Sequence, residues 1–164
     1  MIHRQTLSKA ERLKSYKRIR ILFAQGQKFK VFPLMVYFLL RDEEGEVRLR
    51  EVEGGLERLS EVNTVEGVEV VEEVDGILQM GVSVGKRHFK RAVDRNLLKR
   101  RIREAYRKQK NDLKETLMAT GISMDIFFVY SNARISDYKE IELAMQQGLT
   151  ILLEKVKKQT SLTE

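Results

Sequence analysis

Residues 77–110, ILQMGVSVGKRHFKRAVDRNLLKRRIREAYRKQK, contain the two elements from which the fold can be worked out. Over residues 77–85 apolar side chains alternate with small or polar ones, which predicts a strand with one polar face. Over residues 92–110 the apolar side chains recur at helical spacing and predict a helix. The stripe of this helix that faces the core consists of Leu98, Ile102, Ala105 and Tyr106.

The chain before this unit predicts a helix and a strand. Ser8 and Glu11 have the spacing of a capping box, and the apolar residues that follow predict a short first helix that ends at Gly26. Residues 29–40 are mostly β-branched, aromatic or apolar. They predict one strand, with Pro33 at its beginning or at a bend.

The chain after this unit predicts a third strand and a last helix. Residues 124–130 form a largely apolar run that is short enough for a strand buried on both faces. Ser136 or Asp137 can cap the helix that follows. Its apolar stripe is Ile141, Met145, Leu149, Leu152 and Val156. The order of elements predicts an α+β fold, an α/β sandwich with a central mixed sheet and a strand-helix-strand crossover.

A strongly acidic segment interrupts this order. Residues 41–75 hold thirteen acidic and four basic residues, and four of them are glycines. This composition predicts a surface insertion. The alternation of valine and glutamate over residues 65–70 leaves open a marginal hairpin within it.

Composition excludes several classes of function. With 164 residues, of which 42% are hydrophobic, one domain spanning residues 1–164 is expected. The absence of cysteine excludes a disulfide scaffold and a cysteine nucleophile. His3 and His88 have no neighbours at zinc-ligand spacing. The apolar run at residues 31–40 is too short to span a membrane, and the polar N-terminus lacks a signal-peptide core, so the expected location is the cytoplasm.

Positive charge is concentrated in two blocks. Residues 1–40 carry a net charge of +8 and residues 86–110 carry +10, whereas the whole chain carries +7. On a helical wheel a polar arc lies beside the core stripe and consists of Arg95, Asn96, Lys99, Arg100, Arg103 and Arg107. Like charges four residues apart repel one another. A bound polyanion such as nucleic acid explains this arc better than the alternative, a solvated helix face.

The same segment resembles the signature of the bacterial ribonuclease P protein family. The matching residues are Lys86-Arg87, Ala92-Val93-Asp94-Arg95-Asn96, Lys99-Arg100, Arg103-Glu104 and Tyr106-Arg107. Near the N-terminus, Arg12-Leu13, Phe23 and Gly26 are similar to the family's first helix. Leu97 departs from the pattern, because the family has an arginine there, but Leu97 lies outside the polar arc.

The resemblance implies a fold like the second domain of the fifth protein of the small ribosomal subunit, and a role as a subunit of an RNA enzyme. In this family the RNA subunit performs the Mg²⁺-dependent hydrolysis that removes the 5′ leader of precursor tRNA. The expected partners are therefore the catalytic RNA and precursor tRNA, with no membrane and no DNA. The expected cofactor is Mg²⁺, which the RNA uses. The protein binds the catalytic RNA through its basic helix, and a cleft between the sheet and the first helix holds the leader.

The resemblance also implies roles for individual residues. The RNA-binding residues would be Lys86, Arg87, Lys90, Arg91, Arg95, Asn96, Lys99, Arg100, Arg103 and Arg107. The leader cleft would contain Phe23, Tyr37 and Ser83, where aromatic rings can stack on unpaired bases. Phe23 and Tyr37 could equally belong to the core. Asn96 is also a candidate metal ligand.

No pattern of residues predicts a catalytic site in the protein itself. The run Gly81 to Lys86 lacks one spacer and the hydroxyl residue of a phosphate-binding loop. No catalytic residue is therefore expected, as is typical of a protein that assists a catalytic RNA. The alternative function is a structural RNA-binding protein of the ribosome or of its assembly.

Overall fold

The computed structural model describes residues 7–41 and 77–162 of the chain. Its helical elements are a 3₁₀ helix at Lys9–Glu11, then α1 (Tyr16–Gln25), α2 (Ala92–Gln109), α3 (Asn111–Thr120) and α4 (Tyr138–Ser161). Its strands are β1 (Gln27–Val31), β2 (Leu34–Arg41), β3 (Leu78–Val84) and β4 (Ser123–Tyr130).

The strands form one mixed sheet in the order β1-β2-β4-β3. β2 is antiparallel to both β1 and β4, whereas β3 is parallel to β4. Two parallel neighbours need a long crossover connection, and α2 and α3 supply it between β3 and β4. The predicted mixed sheet with a strand-helix-strand unit is confirmed.

The larger core lies on one face of the sheet, beneath α2, α3 and α4. Side chains alternate between the two faces of a strand, and Met124, Ile126 and Phe128 of β4 point into this core, each 0% exposed. Every residue of the apolar stripes predicted for α2 and α4 is buried. The helical period in the sequence therefore identified the core faces of both helices.

The other face of the sheet carries α1 and a much smaller apolar cluster. This cluster consists of Leu13, Leu22, Leu39 and Phe127. Only Leu22 of α1 is buried. The sheet is thus covered unevenly, and part of its second face stays accessible.

The first helix begins later than the capping-box pattern predicted. The backbone N–H of Ser8 donates to Oε2 of Glu11 at 2.7 Å, but this pair starts the 3₁₀ helix and not α1. α1 begins after Ser15, whose Oγ accepts a hydrogen bond from the N–H of Arg18. It ends at Gly26, as predicted.

Three further features of the elements differ from the sequence prediction. Residues 29–40 are not one strand, because the chain turns at the cis Phe32-Pro33 bond and pairs β1 with β2 as a hairpin. The helix α3, which follows α2 directly at Lys110, was not predicted. Arg41 belongs to β2 and not to the insertion, and the rest of the predicted insertion lies outside the described residues.

The N-terminal segment covers the outer edge of β3. The N–H of Leu13 donates to the carbonyl oxygen of Met80 at 2.8 Å, and Nε2 of Gln79 donates to the carbonyl oxygen of Ala10. Pairing of this kind satisfies edge groups that would otherwise be open to another chain.

A buried ion pair joins this segment to the end of α2. Nζ of Lys110 lies 2.5 Å from Oε1 of Glu11, and the two side chains are 2% and 7% exposed. Burial by itself raises the pKa of Glu11, but hydrogen bonds from Lys110 and the backbone of Ser8 outweigh burial and hold that pKa at about 2. Lys114 is a second, more exposed partner at 3.3 Å.

Replacing Lys110 with Met tests this pair. The Glu11 carboxylate would stay buried without its main partner, and we expect the free energy of unfolding at pH 7 to fall by about 3 kcal/mol. Urea denaturation followed by circular dichroism measures this loss.

The same pair predicts a pH dependence with a definite sign. Because the pKa of Glu11 is lower in the folded protein, its contribution is complete above about pH 4.5 and is lost as the pH falls towards 2. The stability difference between the wild type and Glu11→Gln should therefore shrink over this range. A difference that grows on acidification would contradict the assignment.

Candidate RNA-binding surfaces

The loop between β3 and α2 presents a row of exposed cations. Phe89 anchors the loop, because its ring is buried and packs against Tyr130 with the ring centroids 5.7 Å apart. Nη1 of Arg95 donates to the carbonyl oxygens of Phe89 and Lys90, both at 2.8 Å. The cations that remain exposed around this fixed backbone are Lys86, Arg87, Lys90 and Arg91.

Arg95 therefore does more than the polar arc suggested. Two of its hydrogen bonds hold the backbone of the loop in place, so Arg95 fixes the position of the exposed cations around it. Arg101, which lies outside the arc, has a similar role on another side of α2, because its Nη1 donates to the carbonyl oxygen of Ser136. In the contacts of both arginines the acceptor is a backbone carbonyl oxygen. The spacing of residues in the sequence does not reveal contacts of this kind.

A basic groove of about 650 Å³ runs along α2 beside the N-terminal segment. Its lining residues are Leu7, Arg12, Asn96, Arg100, Arg103, Glu104 and Arg107. The four that belong to the predicted arc follow one another at intervals of four, three and four residues, which places them on one side of the helix. Lys99 lies on the same helix, half-buried, but does not line the groove.

One arginine of the basic groove is already paired. Nη2 and Nε of Arg107 lie 2.7 and 2.9 Å from the two carboxylate oxygens of Glu104, and the hydrogen bond from Arg107 lowers the pKa of Glu104. Among the described residues, Arg100 and Arg103 have no hydrogen-bond or ion-pair partner. These two guanidinium groups are therefore available to bind an anion in the groove.

The basic groove does not fit a metal ion held by the protein. Mg²⁺ prefers carboxylate and other oxygen ligands. Asn96 lies among arginines, and the one carboxylate of the groove, Glu104, is bound by Arg107. The described residues contain no group of three or more His, Asp or Glu side chains that could hold a metal ion.

An aromatic cluster lies where α1 meets the sheet. The ring of Phe23 on α1 contacts Tyr37 on β2 and Phe127 on β4, with centroid distances of 4.6 and 5.1 Å. Phe23 is 42% exposed, so it is not a core residue. Phe127 is buried beneath it, and the sequence did not identify it as part of this site.

Gly81 makes the position of Phe127 possible. A Cβ atom on Gly81 would lie 2.6 Å from two ring carbons of Phe127. Tyr37, Phe127 and Gly81 are also direct partners across β2, β4 and β3. The absence of a side chain at residue 81 therefore leaves room for the ring of Phe127 beside β3.

An open strip of sheet continues from the aromatic cluster. Met35, Val129 and Ser83 are partners across the same three strands, two residues further along, and all three are half-buried. The structure thus brings Phe23, Tyr37 and Ser83 to one face of the sheet. The cleft consists of this strip and the aromatic cluster.

The opposite end of α1 is held by ionic contacts. Nε and Nη2 of Arg18 lie 3.2 and 2.5 Å from the two carboxylate oxygens of Asp125, and Nη2 of Arg41 lies 3.0 Å from Oδ1 of the same residue. These residues were not predicted as a site. The sequence signal that could have identified this contact is Asp125 itself, a charged residue within the otherwise apolar run of β4.

No helix in residues 7–41 or 77–162 has both the length and the apolar character needed to cross a membrane.

Comparison with known proteins identifies the family. The family model described as Ribonuclease P matches residues 7–153. Ribonuclease P protein components from two strains of Porphyromonas gingivalis are each 33% identical to this chain over 143 residues, covering 87% of this chain and 83% of theirs.

Solved structures agree with the fold. The RNase P protein of Staphylococcus aureus superposes with a TM-score of 0.56 at 19% identity, covering 88% of this chain and 96% of that one. A mutant of that protein with defective mRNA degradation activity gives the same TM-score at 20% identity and covers 88% and 89% of the two chains. The family model over residues 7–153 and the relatives at 33% identity show that the chain belongs to the ribonuclease P protein family.

Proposed function

We propose that this chain is the RNA-binding protein subunit of ribonuclease P. It binds the catalytic RNA, and it binds the 5′ leader of precursor tRNA to promote endonucleolytic 5′ maturation in the cytoplasm. Hydrolysis is carried out by the RNA subunit with Mg²⁺. The protein contributes binding and orientation, and none of its own residues is assigned a catalytic role.

Two different surfaces support this proposal, a basic one along α2 and its preceding loop and an aromatic one on the open face of the sheet. The basic groove and the cations of the β3–α2 loop suit the phosphates of a folded RNA, because arginine binds phosphate oxygens through two parallel hydrogen bonds. The cleft suits a single strand, because exposed aromatic rings stack on bases that are not paired. A protein that only coated folded RNA would have no use for the second surface.

The single observation that carries the proposal is the position of Phe23. Its ring is 42% exposed although it contacts two other aromatic rings. Burial of an aromatic ring is favourable, so a ring supported on two sides and left open on the remaining side is suited to a stacked base. Half-exposed Ser83 and Val129 lie beside the cluster and extend the surface for further nucleotides.

Reconstitution tests the function as a whole. The purified protein, added to a ribonuclease P RNA at a low Mg²⁺ concentration, should increase the rate of precursor tRNA cleavage. Lack of stimulation, combined with tight binding to ribosomal RNA, would favour a ribosomal or assembly protein instead.

A charge-removal variant tests the basic groove. Arg100→Ala combined with Arg103→Ala should lower the slope of log affinity against log salt for the catalytic RNA by about 1.4 to 1.8, since each lost phosphate contact removes about 0.7 to 0.9. The fold should persist, because neither arginine has a partner among the described residues. The matched control is Lys157→Ala with Lys158→Ala, which removes the same charge from the exposed end of α4. Equal slopes for both variants would show that the groove is not the docking surface.

A truncation of Phe23 tests the cleft. Phe23→Ala should weaken binding of precursor tRNA by about 1–3 kcal/mol, the value of one stacked base, and leave binding of mature tRNA unchanged. Phe32→Ala is the control, since Phe32 is 55% exposed and lies in the β1–β2 turn outside the aromatic cluster. The measurement is the ratio of the two affinities for the reconstituted enzyme. Should both tRNAs weaken equally, Phe23 does not distinguish the leader.

A further inference from the structure

Asp125 is a charged residue in the middle of the most buried strand. Its side chain is 2% exposed, and Met124 and Ile126 on either side of it are fully buried in the larger core. Burying a carboxylate is costly unless it is paired and hydrogen-bonded. Asp125 meets this requirement with two arginines, Arg18 from α1 and Arg41 from β2.

The two arginines are not equivalent. Arg41 is itself buried at the end of β2, and β2 already pairs with β4 through backbone hydrogen bonds, so this contact joins two elements that are joined in any case. Arg18 is on α1, which has no backbone pairing with the sheet. Its side chain is 23% exposed and binds both oxygens of Asp125.

The other contacts of α1 are apolar or aromatic, from Leu22, partly buried Ile19 and Ile21, and the ring of Phe23. Leu22 is its only buried residue, and the apolar cluster on this face has four buried members, whereas the opposite core has twenty-five. A bidentate pair between arginine and carboxylate fixes direction as well as distance. The link from Arg18 to Asp125 therefore adds a directional contact that fixes the N-terminal part of α1 on β4.

The same two elements that this link joins also form the aromatic cluster. Phe127 lies two residues after Asp125 on the same face of β4, a separation of about 7 Å. Phe23 lies five residues after Arg18 on α1, a rise of about 7.5 Å. A change in the tilt of α1 at Arg18 is thus carried along one and a half turns of helix to the ring that faces the cleft.

We propose that the link between Arg18 and Asp125 is a specificity-determining device, which sets the position of Phe23 over the sheet and so the selectivity of the cleft for an unpaired 5′ leader. The inference rests on the proposed function of the cleft. Arg18 and Asp125 act as positioning residues, because they place the rings that touch the nucleotide and need not touch it themselves.

The experiment uses Arg18→Gln in the enzyme reconstituted with its catalytic RNA. This variant breaks the link but leaves Asp125 paired with Arg41, so no buried charge is left without a partner. Lys17→Gln is the matched control, since it removes one exposed positive charge from the adjacent position of α1. The quantities compared are the dissociation constants for precursor tRNA, for mature tRNA and for the catalytic RNA.

For Arg18→Gln we expect the preference for precursor over mature tRNA to fall about tenfold, since small misplacements of positioning groups have effects of at least this size. Lys17→Gln should keep the wild-type preference. Affinity for the catalytic RNA should be equal in the two variants. Backbone amide exchange in α1, followed by mass spectrometry, should become faster in Arg18→Gln alone.

Arg18→Lys separates geometry from charge. It keeps the positive charge but cannot make the two parallel hydrogen bonds of a guanidinium, so it should lose the preference as Arg18→Gln does. Wild-type preference in Arg18→Lys, or equal behaviour of Arg18→Gln and Lys17→Gln, would overturn the proposal. Those outcomes differ from failure of the proposed function, in which the wild-type protein itself would not distinguish the two tRNAs.

Discussion

The hydrogen bonds that β4 makes on both of its edges are the constraint on which the rest of the molecule depends. β4 pairs antiparallel with β2 and parallel with β3, so it occupies the interior of the sheet. Successive side chains of β4 point to opposite faces of the sheet and contact different parts of the molecule. Met124, Ile126 and Phe128 supply the main core, whereas Asp125 and Phe127 hold and support α1. One strand thereby connects the stability of the protein to the shape of its cleft.

The parallel pairing of β3 with β4 has a second effect, on the basic surface. Both strands end at the same edge of the sheet, where Val84 is the partner of Tyr130. Phe89 in the loop after β3 can then pack on the ring of Tyr130, and the loop is held against the core just before α2 begins. The cations of the loop and those of α2 are therefore presented by a single fixed backbone.

The sequence was sufficient where the signal was local and periodic. The stripe from Leu98 to Tyr106 and the stripe from Ile141 to Val156 repeat at the helical period, and a buried helix face requires that repeat. It was insufficient at α3, because Lys110 joins α2 to α3 with no proline or glycine between them. Gly121, which ends α3 in the left-handed conformation, was the available sign of that helix.

In the candidate site, too, the sequence identified the residues that follow a regular spacing and missed the contacts between distant elements. Helical spacing placed Asn96, Arg100, Arg103 and Arg107 on one arc, since the geometry of a helix is regular. It could not show that Arg95 is bound to backbone carbonyl groups, or that Phe127 lies beneath Phe23. Those contacts join elements that are far apart along the chain, and they exist only once the loop and the sheet have formed.

The two edge strands of the sheet, β1 and β3, differ in what covers them, and this affects self-association. The segment from Ala10 to Leu13 lies along the outer edge of β3, where the N–H of Leu13 binds the carbonyl oxygen of Met80 and the side chain of Gln79 binds Ala10. On the opposite side of the sheet, β1 carries exposed Lys28 and Lys30. A second copy that approached β1 as an antiparallel strand would bring its own lysines close to these, and like charges directly opposite one another are destabilising. This distribution of charge therefore disfavours the association of two copies through the open edge of β1.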